Sequence, residues 1–203
     1  MVHPMFLPFA LFAATSSRYG STAVTRKLFS TTTTTTLQSA ASAIGPLLDS
    51  KGVELSEDAL QETLKSKRVA LYFTAGWCPM CTSFEPSLVK FRDAASDSGK
   101  PIELIYVSSD RSEPDQQNRA GKLDMLSVPF GDKASQLKKQ YNVWSGSESL
   151  QFGVLGRRSG VPALVVLDKR GDELAFLPAE SQGVKALSLW PIDDENGVWG
   201  EEK

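Results

Sequence analysis

Two cysteines, the only ones in a chain of 203 residues, stand three apart in Trp77-Cys78-Pro79-Met80-Cys81. An apolar run, Val69 to Phe73, precedes them, and Phe84, Leu88, Phe91 and Ala95 follow at helical spacing. Strand, then Cys-x-x-Cys, then helix constrains the fold strongly, and it is the arrangement in which a thiol pair does redox chemistry. Two other uses of such a pair are half a zinc site and two inert buried thiols. A zinc site takes about four ligands, and the rest of the chain offers no cysteine and one histidine, His3. No metal and no cofactor is therefore expected.

Charge separates the chain into two regions. Residues 1–44 carry Arg18, Arg26 and Lys27 and no acid, so all 24 acidic residues and the other 19 of the 22 basic ones lie beyond them. The first region is rich in Ser, Thr and Ala and includes the homopolymer Thr31 to Thr36. That composition predicts an organelle-targeting segment. Arg26-Lys27-Leu28-Phe29-Ser30 favours the mitochondrion, while the short apolar stretch Met5 to Ala14 leaves plastid and secretory routes as alternatives. The remainder is mildly acidic without a basic stripe, which argues against a nucleic-acid partner. No apolar run approaches the roughly 20 residues of a membrane span, so no membrane is expected either.

Periodicity and punctuation place the other elements. After a lead-in from Ile44 to Leu55, Ser56 caps a helix from Glu57 to about Lys67, with Leu60 and Leu64 facing inward. Arg68 to Ala75 reads as a central parallel strand, because it is apolar on both faces. A helix from Pro79 to about Ser96 contains Pro86, and Ile102 to Ser109 is a second strand. Ser112 opens a short helix to Ala120, and Val128 to Phe130 is extended. Asp132 is expected to cap a helix that buries Ala134, Leu137 and Tyr141, and Trp144 to Gly160 reads as a loop. Leu164 to Leu167 and Glu173 to Leu177 form a hairpin across Asp168-Lys169-Arg170-Gly171. The tail, 181–203, is expected to dock loosely as a helix and fray. The organisation is then a targeting segment over 1–44, a domain over 45–180 with its core at 68–177, and a C-terminal extension.

These motifs carry a resemblance. The segment Phe73-Thr74-Ala75-Gly76-Trp77-Cys78-Pro79-Met80-Cys81 resembles the thioredoxin superfamily, specifically its tryparedoxin and nucleoredoxin branch. Further matches are Val69 to Phe73, Val107-Ser108-Ser109-Asp110-Arg111-Ser112, Val128-Pro129-Phe130 and Gly160 to Asp168. The resemblance implies an α/β thioredoxin-like fold, a central mixed β-sheet with helices on both faces. It also implies a protein-disulfide reductase acting in cell redox homeostasis on disulfide-containing proteins and recharged by an upstream thiol reductant. Pro162 matches the family's cis-proline, which would face the cysteines and expose the Val161 backbone to an extended substrate. Trp77 would belong to the same substrate surface.

The expected chemistry follows from the residues. Cys78 stands at a helix N-terminus, where unpaired amides and the helix dipole favour thiolate over thiol. It is the candidate nucleophile, and Cys81, one turn on, is the candidate resolving thiol. No histidine lies between the cysteines to stabilise the thiolate further, which favours reduction over oxidation as the direction. Tyr72 stands six before Cys78, where many thioredoxins carry a buried acid, so the proton acceptor for Cys81 is left to Glu85 or Asp110, each read as a surface charge. A redox-regulated binding module without turnover is the alternative function. A peroxidase is a weaker one, because no arginine-backed peroxide pocket is recognisable.

The chain departs from the branch at several points. The dipeptide is Pro79-Met80 where Pro-Pro is usual, Thr82 stands where a basic residue is common, and Leu123-Asp124-Met125 replaces Met-Pro-Trp. About fifteen extra residues separate Tyr141 from Pro162. This insertion contains Arg157-Arg158 and is expected to shape partner choice. The chain is expected to act as a monomer.

Overall fold

A computed structural model describes residues 44–200; the expected targeting segment lies almost entirely outside them. The elements are α1 (Glu57–Leu64), β1 (Arg68–Thr74), α2 (Pro79–Asp97), β2 (Ile102–Ser108), α3 (Glu113–Leu123), β3 (Leu126–Ser127) and α4 (Asp132–Tyr141). They continue with a 3-10 turn (Gly146–Glu148), α5 (Ser149–Phe152), β4 (Ala163–Leu167), β5 (Glu173–Leu177), α6 (Ala179–Gln182) and 3-10 turns at Gly183–Leu189 and Glu195–Gly197.

The strands form one mixed sheet in the order β3-β2-β1-β4-β5. β1, β2 and β3 run parallel, while β4 is antiparallel to both β1 and β5. β1 is buried at every position, as its continuous apolar run requires of a strand covered on both faces. Alternation sends Val69, Leu71 and Phe73 to one side, with Leu60, Leu64, Leu137 and Tyr141 from α1 and α4. Ala70 and Tyr72 face the other, with Phe84 and Leu88 from α2 and Ala120 from α3. Both faces are thus covered by helices. Among the described residues, no helix is long and apolar enough to cross a membrane.

Several boundaries follow the local signals. Ser56 accepts from the Ala59 amide and caps α1; Ser112 does the same for α3 from Asp115. α2 runs through Pro86 for 19 residues and still buries Phe84, Leu88 and Ala95 on one face. The Asp168 carboxylate accepts the amides of Arg170 and Asp172, each at 2.9 Å, and Gly171 supplies the positive φ of the β4–β5 turn.

The structure corrects several expectations about the elements and adds a detail to the lead-in. Asp132 does not cap α4: Gly131 holds the cap position with φ 93° and Asp132 is already in the first turn. The third strand is Leu126–Ser127, earlier than Val128 to Phe130, because Val128 makes a last amide bond to the Tyr106 carbonyl and Pro129 has no amide to continue. The lead-in contributes to the sheet margin, with Leu48 exchanging both backbone bonds with Ser127 at 2.8 and 2.9 Å, which covers an edge that would otherwise be open.

The tail is corrected as well. It does not dock loosely. Ala186, Leu187 and Trp190 pack into the α2 side, with the Trp190 ring 5.6 Å from Phe91. Trp199 enters the opposite core and is 2% exposed. Its amide donates to the Lys67 carbonyl at 3.0 Å, and its carbonyl accepts from Ser66 at 2.7 Å. The tail therefore contributes one tryptophan to each side of the sheet.

Candidate active site at the head of the second helix

Parallel strands end together, so the segments after β1, β2 and β3 share one end of the sheet with Gly160 to Pro162, which leads into antiparallel β4. That end holds the cysteines. Cys78 is the N-cap of α2, with Pro79 opening the helix where a missing amide hydrogen costs little. The Cys78 sulfur accepts the Cys81 amide at 3.3 Å. On its other side it lies 3.8 Å from the Val161 carbonyl oxygen, to which the thiol donates. The Val161–Pro162 peptide is cis. Trp77, Cys78, Cys81, Val161 and Pro162 are thereby brought into one site.

The two thiols, both free, differ in their surroundings. Cys78 is 6% exposed and Cys81 is fully enclosed. Burial pushes the Cys81 thiol up to about 12, and its contact with Cys78 adds to the rise. Trp77 and Met80 are exposed beside them and form an apolar rim.

This shift has a consequence for stability. The ordinary thiol value is 9.0 and the folded one about 12, so the folded state keeps a proton that the unfolded chain releases in between. The stabilisation is complete below pH 9 and is lost as pH rises toward 12. In urea unfolding of the reduced protein, Cys81 is expected to contribute a loss of about 1 kcal/mol between pH 9 and 10, and Cys81→Ser is expected to remove that share. A slope unchanged in the variant would contradict the assignment to Cys81. Tyr72, Tyr106 and Tyr141, all raised by burial first from an ordinary 10.0, add a loss of their own as pH approaches and passes 10, and that share remains in Cys81→Ser.

Behind the thiols, neither suspected carboxylate is a surface charge. Asp110 accepts from the Gly76 amide at 2.7 Å, the Tyr106 hydroxyl at 2.7 Å and the Ser108 hydroxyl at 2.9 Å. It fixes the segment leading into the cysteines. Glu85 is buried and ion-paired with Arg119. The Tyr72 and Thr74 hydroxyls are buried, and neither has a hydrogen-bond partner among the described residues. Beside Trp77 lies a cleft of about 380 Å³ whose lining includes Asp110, Arg111, Asp115, Arg119 and Lys122. The Arg111 guanidinium sits 5.7 Å from the Trp77 ring centre.

The segment 144–160 is not a plain loop. A Val143–Ser159 bridge and the Arg158 amide on the Asn142 carbonyl at 2.7 Å close its base. Within it, Glu148 and Ser145 form a reciprocal capping box. Glu148 also pairs with buried Lys138 and accepts the Ser109 hydroxyl at 2.7 Å. Burial alone would raise the Glu148 pKa; the hydrogen bond and charge of Lys138 outweigh it and lower it. Ser109 in turn accepts the Trp77 indole N–H at 2.8 Å through its carbonyl. Glu148 and Ser109 thus tie the insertion to the redox surface, and sequence reasoning missed both. The Ser145-x-x-Glu148 spacing was a readable signal for the cap.

Comparison with known proteins agrees with this architecture. A profile described as thioredoxin-like matches residues 66–173, more than half of the chain. Nucleoredoxin from Bos taurus is 33% identical over 130 residues, 63% of this chain and 26% of the relative. Tryparedoxin from Trypanosoma brucei brucei is 36% identical over 85 residues, 41% of this chain and 58% of the relative. The chain thus spans about a quarter of the length of the nucleoredoxin it matches. Among solved structures, native tryparedoxin I from Crithidia fasciculata aligns with a TM-score of 0.53 at 25% identity, covering 82% of this chain and 99% of that one. Tryparedoxin I from Leishmania major aligns at 0.51 and 28% identity, covering 70% and 87%. With the five-stranded mixed sheet, the Cys-x-x-Cys helix start and the facing cis-proline in place, the chain belongs to the thioredoxin-like family.

Proposed function

We propose that this chain is a thiol–disulfide oxidoreductase working as a protein-disulfide reductase. One observation carries the reading. The Cys78 sulfur caps α2, meets the Cys81 amide at 3.3 Å and faces the carbonyl that precedes cis-Pro162, while Cys81 lies enclosed behind it.

In the reaction, the Cys78 thiolate attacks one sulfur of a substrate disulfide. A Cys78–substrate bond forms, the substrate S–S bond breaks, and the leaving thiolate takes a proton. Cys81 then loses its proton and attacks the Cys78 sulfur. The Cys78–Cys81 disulfide forms and the second substrate thiol departs. The substrate has gained two electrons and two protons, and an upstream dithiol resupplies both to the pair. The helix N-terminus stabilises the attacking thiolate. Trp77 and the Val161 backbone hold an extended substrate across Cys78, as an added strand.

The test is reduction of insulin in the presence of a small dithiol. Many disulfides reduced per protein molecule support the enzyme; consumption of one thiol pair per molecule supports the alternative, a binding module switched by oxidation of the pair. We also read residues 1–44 as an organelle address, the mitochondrion first, from their basic, acid-free composition. Residues 1–44 fused to a fluorescent protein would test this; a diffuse cytosolic signal would remove it.

A further inference from the structure

The sequence led to the expectation that the insertion, which contains Arg157 and Arg158, shapes partner choice. The structure engages both with partners within the fold. Arg157 donates to the Trp144 carbonyl at 3.3 Å and lies 3.6 Å from Glu180. Arg158 pairs with Glu173 at 2.8 Å and stacks on Phe176, 3.8 Å from its ring centre. The tip offers something else. Residues 149–156 contain no charged side chain, in a chain that is 23% charged. Leu150, Val154 and Leu155 are 103%, 78% and 87% exposed.

These three side chains do not sit on a slack loop. Phe152 anchors the tip, its ring 5.5 Å from Trp144 and under the ammonium groups of Lys138 and Lys139 at 5.9 and 5.8 Å. Glu148 and Ser109 tie it to Trp77 as described above. On its far side the insertion runs through Ser159 and Gly160 directly into Val161 and cis-Pro162. The apolar tip is therefore held by both walls of the redox site. A connection that merely spanned α4 and β4 would have no use for three aliphatic side chains in water.

We propose that the tip, Leu150, Val154 and Leu155, is a docking surface for the disulfide-bearing protein itself, and that it selects substrates with apolar surface beside the disulfide. This rests on the reductase reading and adds the class of substrate. A substrate strand laid along Val161 continues past the insertion that leads into it. The charge-free tip then meets that strand's flank and gains by removing apolar area from water. A partner presenting acidic or basic flanks gains nothing there.

Two synthetic disulfide peptides test the proposal, one with Leu- and Val-rich flanks and one with Ser-rich flanks. Flanks of about ten residues extend roughly 33 Å. The natural chain is expected to reduce the apolar peptide about tenfold better in kcat/KM, mainly through KM. The triple variant Leu150→Ser, Val154→Ser, Leu155→Ser is expected to reduce both peptides equally, with turnover of hydroxyethyl disulfide unchanged. A preference that survives in the variant, or no preference in the natural chain, overturns the proposal. So does an equal loss on hydroxyethyl disulfide, or a dimer of the natural chain that the variant makes monomeric, which would assign the tip to self-association. If the natural chain reduces none of the three disulfides, the reductase reading fails on its own. Anisotropy of the labelled apolar peptide then still reads the tip, since binding lost in the triple variant supports it and equal binding by both proteins overturns it.

Discussion

Cys78→Ser is expected to abolish insulin reduction, lowering the rate by at least about 10³-fold to the background set by the dithiol. The hydroxyl that replaces the thiol does not ionise near neutral pH, so the helix N-terminus has no thiolate to stabilise. Cys81 cannot substitute for it. It is completely enclosed, and burial holds its thiol up at about 12, so it is protonated and out of reach of a protein disulfide at neutral pH. The fold is expected to tolerate the change, because the serine oxygen can accept the same Cys81 amide that the sulfur accepts now. Activity above a tenth of the natural level in Cys78→Ser would show that the attacking atom has been misassigned.

The second large effect concerns the tail. Trp199→Ala is expected to destabilise the fold by about 3–5 kcal/mol in urea unfolding, the range for emptying a buried aromatic site. The side chain shares a core with Leu60 and Leu64 of α1 and with Val69, and the adjoining backbone bonds Ser66 and Lys67 just before β1. Leu189, ten residues earlier in the tail and half in water, serves as the control; Leu189→Ala is expected to change stability by less than about 0.5 kcal/mol. A cost below about 1 kcal/mol for Trp199→Ala would mean that the tail is the loose appendage its sequence suggested.

That contrast shows where the sequence is legible. β1 could be found because five consecutive buried apolar residues, Val69 to Phe73, leave a continuous signature, and α1 and α3 because Ser56 and Ser112 announce their caps. The Cys-x-x-Cys helix start and the proline facing it were readable because motif and spacing are local. The tail was not. Trp190 and Trp199 enter opposite cores, so their spacing follows the path of the chain around the sheet and matches no helical or strand period. Polar hubs were hidden for a related reason. Glu85 meets Arg119 across 34 positions, and Glu148 meets Ser109 across 39, distances at which no local pattern tells a paired carboxylate from a solvated one. Asp110 was misread in the same way, since its ligands are brought to it by the ends of two adjacent parallel strands.

The insertion repeats the lesson with opposite sign. The insertion as a whole was expected to shape partner choice, and its two arginines are its most conspicuous charges. Folding uses them internally, on Glu173, Glu180 and the Trp144 carbonyl. It leaves the aliphatic side chains outside, where a sequence rule would have put them in the core.

The central claim is a division of labour: Cys78 attacks, Cys81 resolves. Trapping tests it most directly. Cys81→Ser removes the only other cysteine in the chain and with it the step that releases substrate. Incubated with disulfide-bearing proteins, this variant is expected to accumulate stable mixed disulfides, each mapped by mass spectrometry to Cys78 and released by dithiothreitol. Equal or greater trapping by Cys78→Ser, with the adducts on Cys81, would contradict the account.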